Sequence, residues 1–262
     1  MNPLYVHGIG VLGPGLPGWA AARRVMRREQ PYRYELPPEP RPDALPPNER
    51  RRGARTVRWA IAVAEEAMRD SGIPASGVAS VFASSSGDGE TLHQICEALA
   101  RPEREMSPTR FHNSVHNAPA GYWSIASGSR GTSMTLCGHD ASFGLGLLEA
   151  SALVQAGEDA VLLVAYDLPY PEPLRLVRPI LAPLAVALLI SGENRPGTLA
   201  KWEASLSAEA DVTDPAQDWP LELASNPAAQ ALPLLAAVAR RAVDTTRIAL
   251  GRRQRLVIDS CP

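Results

Sequence analysis

Residues 131–142 bring several reactive side chains together in one short stretch, Gly-Thr-Ser-Met-Thr-Leu-Cys-Gly-His-Asp-Ala-Ser. A thiol, an imidazole and a carboxylate follow each other closely, as Cys137, His139 and Asp140. A thiol near the start of a helix can be the nucleophile of an acyl transfer, because the helix dipole favours its thiolate. A carboxylate in that position cannot form an acyl thioester. The chemistry of the stretch therefore depends on which residue occupies the turn.

The pattern around these side chains predicts a strand, a tight turn and a helix. Residues 132–136 are the predicted strand, and an amphipathic helix runs from the turn to Gly157. The buried stripe of this helix is marked by apolar residues at helical spacing, namely Phe143, Leu147, Ala150 and Val154. A second apolar strand follows at residues 160–166. The reactive residues are therefore expected where a strand meets a helix N-terminus.

Strand and helix patterns alternate along the rest of the chain. Further strands are predicted at residues 4–12, 78–83, within 184–190, within 198–206 and at 255–259. Further helices are predicted at residues 16–28, 56–70, about 91–100, 118–126 and near 226–243. Residues 31–47 hold seven prolines without a periodic apolar pattern, which indicates an irregular surface segment. This alternation predicts an α/β fold, layered α-β-α, with a mainly parallel mixed sheet.

Length and composition limit the class of protein. The chain has 262 residues, of which 45% are hydrophobic, enough for a substantial core in one large domain or two small ones. A net charge of −2 gives no overall argument for binding nucleic acid or an anionic membrane. Cys96, Cys137 and Cys261 lack paired or metal-like spacing, which favours a reducing cytosol. The start lacks a signal-peptide pattern, and the longest apolar run, residues 180–190, is too short for a membrane span. A cytoplasmic location without a membrane span is expected.

The strand-turn-helix pattern resembles the nucleophile elbow of the β-ketoacyl synthases, members of the thiolase-like family. In that family a Gly-Pro-Ser run opens the strand, and the nucleophilic cysteine follows nine residues after that glycine. The helix closes at Ser-Gly, seventeen residues after the cysteine. Counting forward from Gly131 or back from Gly157 leads to Asp140 in this chain, and placing Cys137 there breaks both spacings. The resemblance therefore implies a ketosynthase-like elbow without its thiol.

The resemblance extends over roughly residues 4–206 in matching order. The segments that carry it are residues 5–11, 65–73, 84–89 and 117–126. It implies a ketosynthase-like (thiolase-like) N-terminal domain at 1–207, with 208–262 as an abbreviated helix-strand extension packing on it. A complete ketosynthase has a second half that carries two histidines, whereas no histidine follows His139 here. Those histidines stabilise the thioester oxyanion and drive decarboxylation.

What the resemblance implies is a non-catalytic subunit without a cofactor. The chain resembles the short chain-length-factor-like subunits of aryl polyene biosynthesis, which pair with a complete ketosynthase. The expected partners are that ketosynthase, in a heterodimer, and acyl chains bound to acyl carrier protein; metal and nucleic acid are not expected. In such a complex the partner supplies the catalytic residues, and this chain forms one wall of the acyl tunnel.

The same resemblance assigns residues to the tunnel and to the partner interface. Phe111, Val115 and His116 precede the helix at 118–126 and are candidates for tunnel-lining residues. In ketosynthases the strand before the elbow pairs across a two-fold axis, which here implicates Thr132, Ser133 and Met134. Ordinary interface packing is the plainer interpretation of Phe111, Val115 and His116.

Plainer interpretations also exist for the reactive residues. Asp140 can be the N-cap of the helix, and Cys137 a small thiol buried in the core. His112 and His116 are four residues apart, which suits a helical metal site, but no third ligand follows at a recognisable spacing. The loop at 84–89 lacks the lysine and the spacing of a phosphate-binding P-loop.

The arginines at residues 50–58 form a dense basic cluster. Its members are Arg50, Arg51, Arg52, Arg55 and Arg58. A solvated face is the plain interpretation; docking of an acidic acyl carrier protein, centred on Arg51, Arg52 and Arg55, is the functional one. Two other functions stay open, an autonomous acyltransferase that uses Cys137 and a scaffold that only recruits carrier protein.

Overall fold

The computed structural model describes residues 2–69, 71–208 and 211–262. Within them, eight strands form one sheet: Leu4–Leu12 (β1), Ala79–Ala83 (β2), Ser133–Leu136 (β3), Val161–Asp167 (β4), Leu184–Ser191 (β5), Ala200–Ser207 (β6), Asp244–Ala249 (β7) and Arg255–Cys261 (β8). The longer α-helices are Trp19–Met26 (α1), Arg55–Arg69 (α3), Gly89–Ala100 (α4), Ala118–Ser127 (α6), Ser142–Gln155 (α7) and Leu232–Arg240 (α10). The short ones are Pro47–Arg52 (α2), Pro108–Asn113 (α5), Leu174–Val177 (α8) and Leu221–Ala224 (α9). The predicted helix end at Asp70 lies outside the described residues.

The sheet is mixed, and its strand order is β3-β2-β4-β5-β1-β6-β8-β7. Among the described strands, β2 is parallel to β3 and to β4, and the other pairs are antiparallel. The layered α/β fold with a mixed sheet is confirmed, but the parallel part is smaller than predicted. The reason lies in the connections: parallel pairing needs a long crossover, as from β2 to β3 and from β3 to β4, whereas a five-residue turn joins β7 to β8.

Helices cover both faces of the sheet. On one face α3 and α6 pack on the sheet in a core that includes Trp59, Phe82 and Trp123. On the other face α1, α7 and α10 pack in a core that includes Phe143 and Trp202. β5 is buried along its whole length because both faces are covered. This is the three-layer arrangement predicted from the sequence.

Two glycines of β1 allow α3 to lie directly on the sheet. A Cβ at Gly8 would sit 1.9 Å from the carbonyl oxygen of Ala67, and one at Gly10 would sit 2.0 Å from that of Val63. Any side chain at either position would push the helix away, so the Gly-Ile-Gly spacing of the strand fixes the position of α3.

The C-terminal part of the chain joins the same sheet. β8 pairs with β6, and α10 contributes to the core that also contains α7. Gly144 of α7 lies against the end of β7, where an added Cβ would be 2.6 Å from the carbonyl oxygen of Ala249. The strand β7 was not predicted, and the predicted helix at 226–243 is a 3₁₀ turn, Pro227–Ala231, followed by α10.

The proline-rich segment is irregular up to Pro46, as predicted, and then enters α2. Glu39 anchors it to α3, accepting hydrogen bonds from Arg55 Nε at 2.6 Å and from Trp59 Nε1 at 3.2 Å. In the described part of the chain, no helix combines the length and the apolar character needed to cross a bilayer.

Candidate functional site

The predicted elbow is present between β3 and α7. After Leu136 the chain passes through Cys137 and Gly138 into a 3₁₀ turn, His139–Ala141, and α7 begins at Ser142. Ser142 closes the turn, because its Oγ accepts from the Gly138 N–H at 3.0 Å and donates to the His139 carbonyl at 2.7 Å. His139 has φ 53°, a left-handed conformation that few residues other than glycine adopt. The turn is thus tight and locally strained.

Asp140 projects from this turn into solvent and forms an ion pair. Its Oδ1 lies 2.6 Å from Nη1 of Arg178, and its Oδ2 lies 3.2 Å from Nδ1 of His139. The expectation that Asp140 caps α7 is wrong, since the residue before that helix is Ala141 and no side chain caps it. The carboxylate is engaged by Arg178, from the segment between β4 and β5, instead of by the first turn of the helix.

Cys137 is exposed, so its expected burial in the core is also wrong. The cause is its position at the end of β3, an edge strand. Its Sγ donates to the Ser85 carbonyl oxygen at 2.6 Å. In the described residues no histidine is bonded to this sulfur, although a base beside the thiol is the usual means of activating a cysteine nucleophile.

A buried carboxylate, Asp167, organises the carboxyl ends of β2 and β4 next to the elbow. It is 2% exposed and accepts from Ser84 Oγ at 3.0 Å, from Ser85 Oγ at 2.7 Å and from the Ser85 N–H at 2.9 Å. Tyr170 Oη adds hydrogen bonds to Ser85 Oγ at 3.1 Å and to Ser86 Oγ. The serine-rich loop is therefore held by Asp167 and Tyr170.

Burial raises the pKa of Asp167 to about 6. The hydrogen bonds from Ser85 and Ser84, and the positive charge of Arg178, oppose this rise because they favour the carboxylate. Arg178 thus lies between two carboxylates: it pairs directly with Asp140 and acts at longer range on Asp167. This electrostatic link connects the elbow to the buried cluster.

Asn226 ties the C-terminal segment to the same region. Its Nδ2 donates to the carbonyl oxygens of Asp167 at 2.8 Å and Ala182 at 2.9 Å. The sequence interpretation missed Asp167, Tyr170, Arg178 and Asn226. The sequence pattern could have indicated Asp167, because it is a carboxylate at the end of a fully apolar strand. The other three residues come from distant segments, and no local pattern indicates them.

The predicted interface residues lie on the open edge of the sheet. Among the described strands β3 pairs with β2 alone, so its other edge is free. Thr132, Ser133 and Met134 are exposed there, and Met134 shows 41% of its surface. The helix α6 contacts β3 and carries Ile125, which is 55% exposed.

The predicted tunnel residues are partly accessible. Phe111 is 60% exposed on α5, and Val115 is 49% exposed just after it. His116 is half-buried against the serine-rich loop, where its ring lies 3.4 Å from the position of a Cβ built on Gly87. His112 lies in α5, whereas His116 lies beyond its end, so the two histidines do not share a helix face.

The histidines and arginines singled out in the sequence make local contacts. The ring of His112 packs edge-to-face on Tyr122 at 6.0 Å, and within the described residues no three His, Cys, Asp or Glu side chains form a metal-binding group. Arg55 pairs with Glu39 at 2.6 Å and Arg52 with Glu49 at 3.9 Å. Arg51 has a long contact of 3.4 Å with Asn48.

Comparisons with known proteins agree with this geometry. The family model of the β-ketoacyl synthase N-terminal domain matches residues 24–254. A structure of the ketosynthase ApeO in complex with its chain length factor ApeC, from Xenorhabdus doucetiae, contains a chain with 22% identity, 99% coverage of both chains and a TM-score of 0.74. The ishigamide ketosynthase/chain length factor gives 13% identity, full coverage of both chains and a TM-score of 0.75. A comparison with curated proteins finds no match.

A third structure is that of AntDE with AntF, a type II polyketide synthase acyl-carrier protein in complex with its ketosynthase bound to the hexaketide. It gives 11% identity, 99% coverage of both chains and a TM-score of 0.76. At these identities the structural likeness shows the fold, which is that of ketosynthase and chain-length-factor chains. The family model covers most of the sequence, and with it the chain belongs to the β-ketoacyl synthase N-terminal domain family.

Proposed function

We propose that this protein is a non-catalytic, chain-length-factor-like subunit. It pairs with a complete β-ketoacyl synthase and shapes the acyl tunnel in type II fatty acid or polyketide biosynthesis, of which aryl polyene synthesis is an example. The observation that carries the proposal is the elbow, where Asp140, the residue that the family spacing assigns to the nucleophile position, is held by Arg178 at 2.6 Å.

The chemistry of Asp140 supports a non-catalytic role for this chain. A carboxylate cannot accept an acyl group as a thioester, and an ion pair with a guanidinium lowers its nucleophilicity further. The exposed Cys137 is the alternative nucleophile, but its partner is the Ser85 carbonyl oxygen, which cannot remove a proton to activate it. The catalytic cysteine and both histidines would then come from the partner.

The open edge of β3 supports the proposed pairing with a ketosynthase. An unpaired strand edge exposes backbone groups that can pair with a strand of another chain. Here the edge is flanked by the exposed apolar side chains Met134 and Ile125. A ketosynthase strand docked along Thr132, Ser133 and Met134 would cover both, with an interface in the range of obligate complexes.

The tunnel would run beside α5. Phe111 and Val115 expose apolar surface that a partner and its acyl chain could cover. In a packed interface, a bulky ring at the end of a tunnel stops elongation by steric exclusion. Phe111 is therefore the proposed determinant of chain length, with Val115 and His116 beside it.

Residues 1–207 and 208–262 are proposed to act as one domain. The contact of Gly144 with Ala249 and the hydrogen bonds of Asn226 support this, because both bind the extension to the elbow region. Carrier-protein docking at Arg51, Arg52 and Arg55 also stays a proposal. Arg51 supports it best, since within the described residues Arg52 and Arg55 form ion pairs and Arg51 contacts only the neutral side chain of Asn48.

The decisive experiment determines which subunit of the heterodimer becomes acylated. The heterodimer is incubated with an acyl-loaded carrier protein, and each subunit is analysed by intact mass. We expect the acyl adduct on the ketosynthase and none on this chain. An adduct on this chain that disappears in Cys137→Ser would contradict the proposal and favour an autonomous acyltransferase. Carrier binding without any effect of this chain on product length would favour a scaffold.

A further inference from the structure

The helices α1 and α10 end side by side, and each ends in a pair of arginines. Arg27-Arg28 follows α1, and Arg240-Arg241 closes α10. The first arginine of each pair crosses to the other helix: Arg27 Nε donates to the Ala239 carbonyl, and Arg240 Nε donates to the Met26 carbonyl at 2.8 Å. These reciprocal bonds neutralise the carbonyl ends of both helices. Arg27 and Arg240 thus have a structural role.

The second arginine of each pair has no such role. Arg28 and Arg241 adopt left-handed conformations, with φ 61° and 52°, at positions where glycine is the usual residue. Both are exposed.

The surface around the ends of α1 and α10 carries further positive charge. Arg23 and Arg24, one turn before Arg27 and Arg28, are exposed on α1. Within the described residues, Arg23, Arg24, Arg28 and Arg241 form no ion pair. The whole chain has a net charge of −2, so this concentration is local.

A cleft of about 230 Å³ opens in the middle of this face. Its lining is mixed: Trp19, Leu199 and Val238 are apolar, and Thr198 and Pro262 lie beside them. Arg23, Arg27 and Arg241 complete the lining. Apolar side chains next to charged ones are the composition of a protein-protein contact, in which one buried side chain is surrounded by polar pairs.

We propose that this α1/α10 face docks an acidic helix of a partner protein, which places an apolar side chain in the cleft between carboxylates one turn apart. Arg27 is held by the Ala239 carbonyl and by Glu29, so Arg23 and Arg241 are the arginines that would bind the two carboxylates. Nucleic acid fits less well, because Trp19 is nearly buried and cannot stack on a base. An anionic membrane fits less well because Trp19 and Val238 are buried and do not project into lipid.

This docking goes beyond the proposed function. The face belongs to the layer that contains α7, whereas the arginines of α2 and α3 lie in the other layer. Its test therefore uses neither acylation nor product length, and its failure would leave the ketosynthase-partner proposal intact.

The test measures binding of a labelled helical peptide that carries Glu-x-x-x-Glu around a central leucine, by fluorescence anisotropy with the full chain. The comparison peptide has Gln in place of Glu. We expect the Glu peptide to bind more tightly and to lose affinity with salt, and R23E/R241E to bind it roughly tenfold more weakly. R252E/R253E, in the turn between β7 and β8, makes the same change of charge elsewhere and should leave binding unchanged.

Three results would overturn the proposal. The first is equal binding of the Glu and Gln peptides. The second is equal weakening by both charge-reversal pairs, which would reduce the effect to net charge. The third is an R23E/R241E-sensitive complex with a DNA duplex, or with phosphatidylserine vesicles, that is tighter than the complex with the peptide. Circular dichroism of both variants verifies that they are folded.

Discussion

At the scale of single residues, Asp140 and Arg178 form an ion pair at the elbow, where the proposed function has no nucleophile in this chain. Asp140 is about two-thirds exposed, and pairs of this kind contribute roughly 0–1 kcal/mol to stability. Its carboxylate contacts Arg178 and His139 and has no role in the proposed chemistry. Removing it should therefore have a small effect on both folding and turnover.

We expect Asp140→Ala to lower the free energy of unfolding by less than about 1 kcal/mol and to leave product formation by the heterodimer largely intact. Urea denaturation and product analysis measure the two effects. Arg178→Met is the matched variant from the other side of the pair. Loss of turnover in an intact Asp140→Ala heterodimer would instead assign Asp140 to the chemistry.

Asp167 should give the protein an unusual dependence on pH. Its folded-state pKa of about 6 lies above the ordinary value of 3.8. The folded state therefore holds a proton that the unfolded state releases. This contribution to stability is present below pH 3.8 and is lost as the pH rises through about 6. Its full size is about 3 kcal/mol, because a difference of one between the folded and unfolded pKa values corresponds to about 1.4 kcal/mol.

Asp167→Asn removes this titration while keeping the shape of the side chain. The difference in unfolding free energy between the natural protein and Asp167→Asn should move in favour of the natural protein as the pH falls from about 7 to about 5. Chemical denaturation at a series of pH values measures it. A difference that does not change with pH would show that Asp167 titrates in its ordinary range.

At the scale of elements, most helices and strands were predictable because their apolar spacing agrees with their burial. The failures have local causes. α10 ends at Arg241 in a left-handed conformation, where a glycine would have marked the stop, so the predicted helix ran on to 243 and β7 was missed. The elbow was located by spacing, but Arg178 reaches it through tertiary structure, which no local pattern reveals.

The free edge of β3 gives a prediction about assembly. Met134→Glu places a charge in the proposed interface and should weaken the heterodimer by roughly tenfold or more. The isolated subunit should change little, because Met134 is exposed in it. Size-exclusion chromatography of the co-expressed subunits measures the complex.

Leu206→Glu is the matched control, since Leu206 is an exposed apolar residue on β6, away from that edge. It should leave the heterodimer unchanged. If both variants assemble as well as the natural protein, the partner does not bind along β3.

At the scale of the whole molecule, the proposed complex divides its functions: one chain performs the chemistry and the other limits the product. Phe111→Ala should shift the product distribution to longer chains, because the ring no longer blocks the tunnel. Stability should change little for a side chain that is 60% exposed. Mass spectrometry of the products measures the shift, with Leu176→Ala, on the exposed surface of α8, as the control. An unchanged distribution would remove Phe111 from the tunnel.

The reciprocal hydrogen bonds that Arg27 and Arg240 make between α1 and α10 also have a consequence for biosynthesis. These two hydrogen bonds join residues 212 and 214 positions apart, so α1 meets α10 only after the long segment between them has been translated. Contacts this distant in sequence carry a large loop-closure entropy and form late. The side of α1 that packs on α10 therefore stays exposed during translation. Chaperones can bind this apolar surface of the nascent polypeptide until α10 covers it.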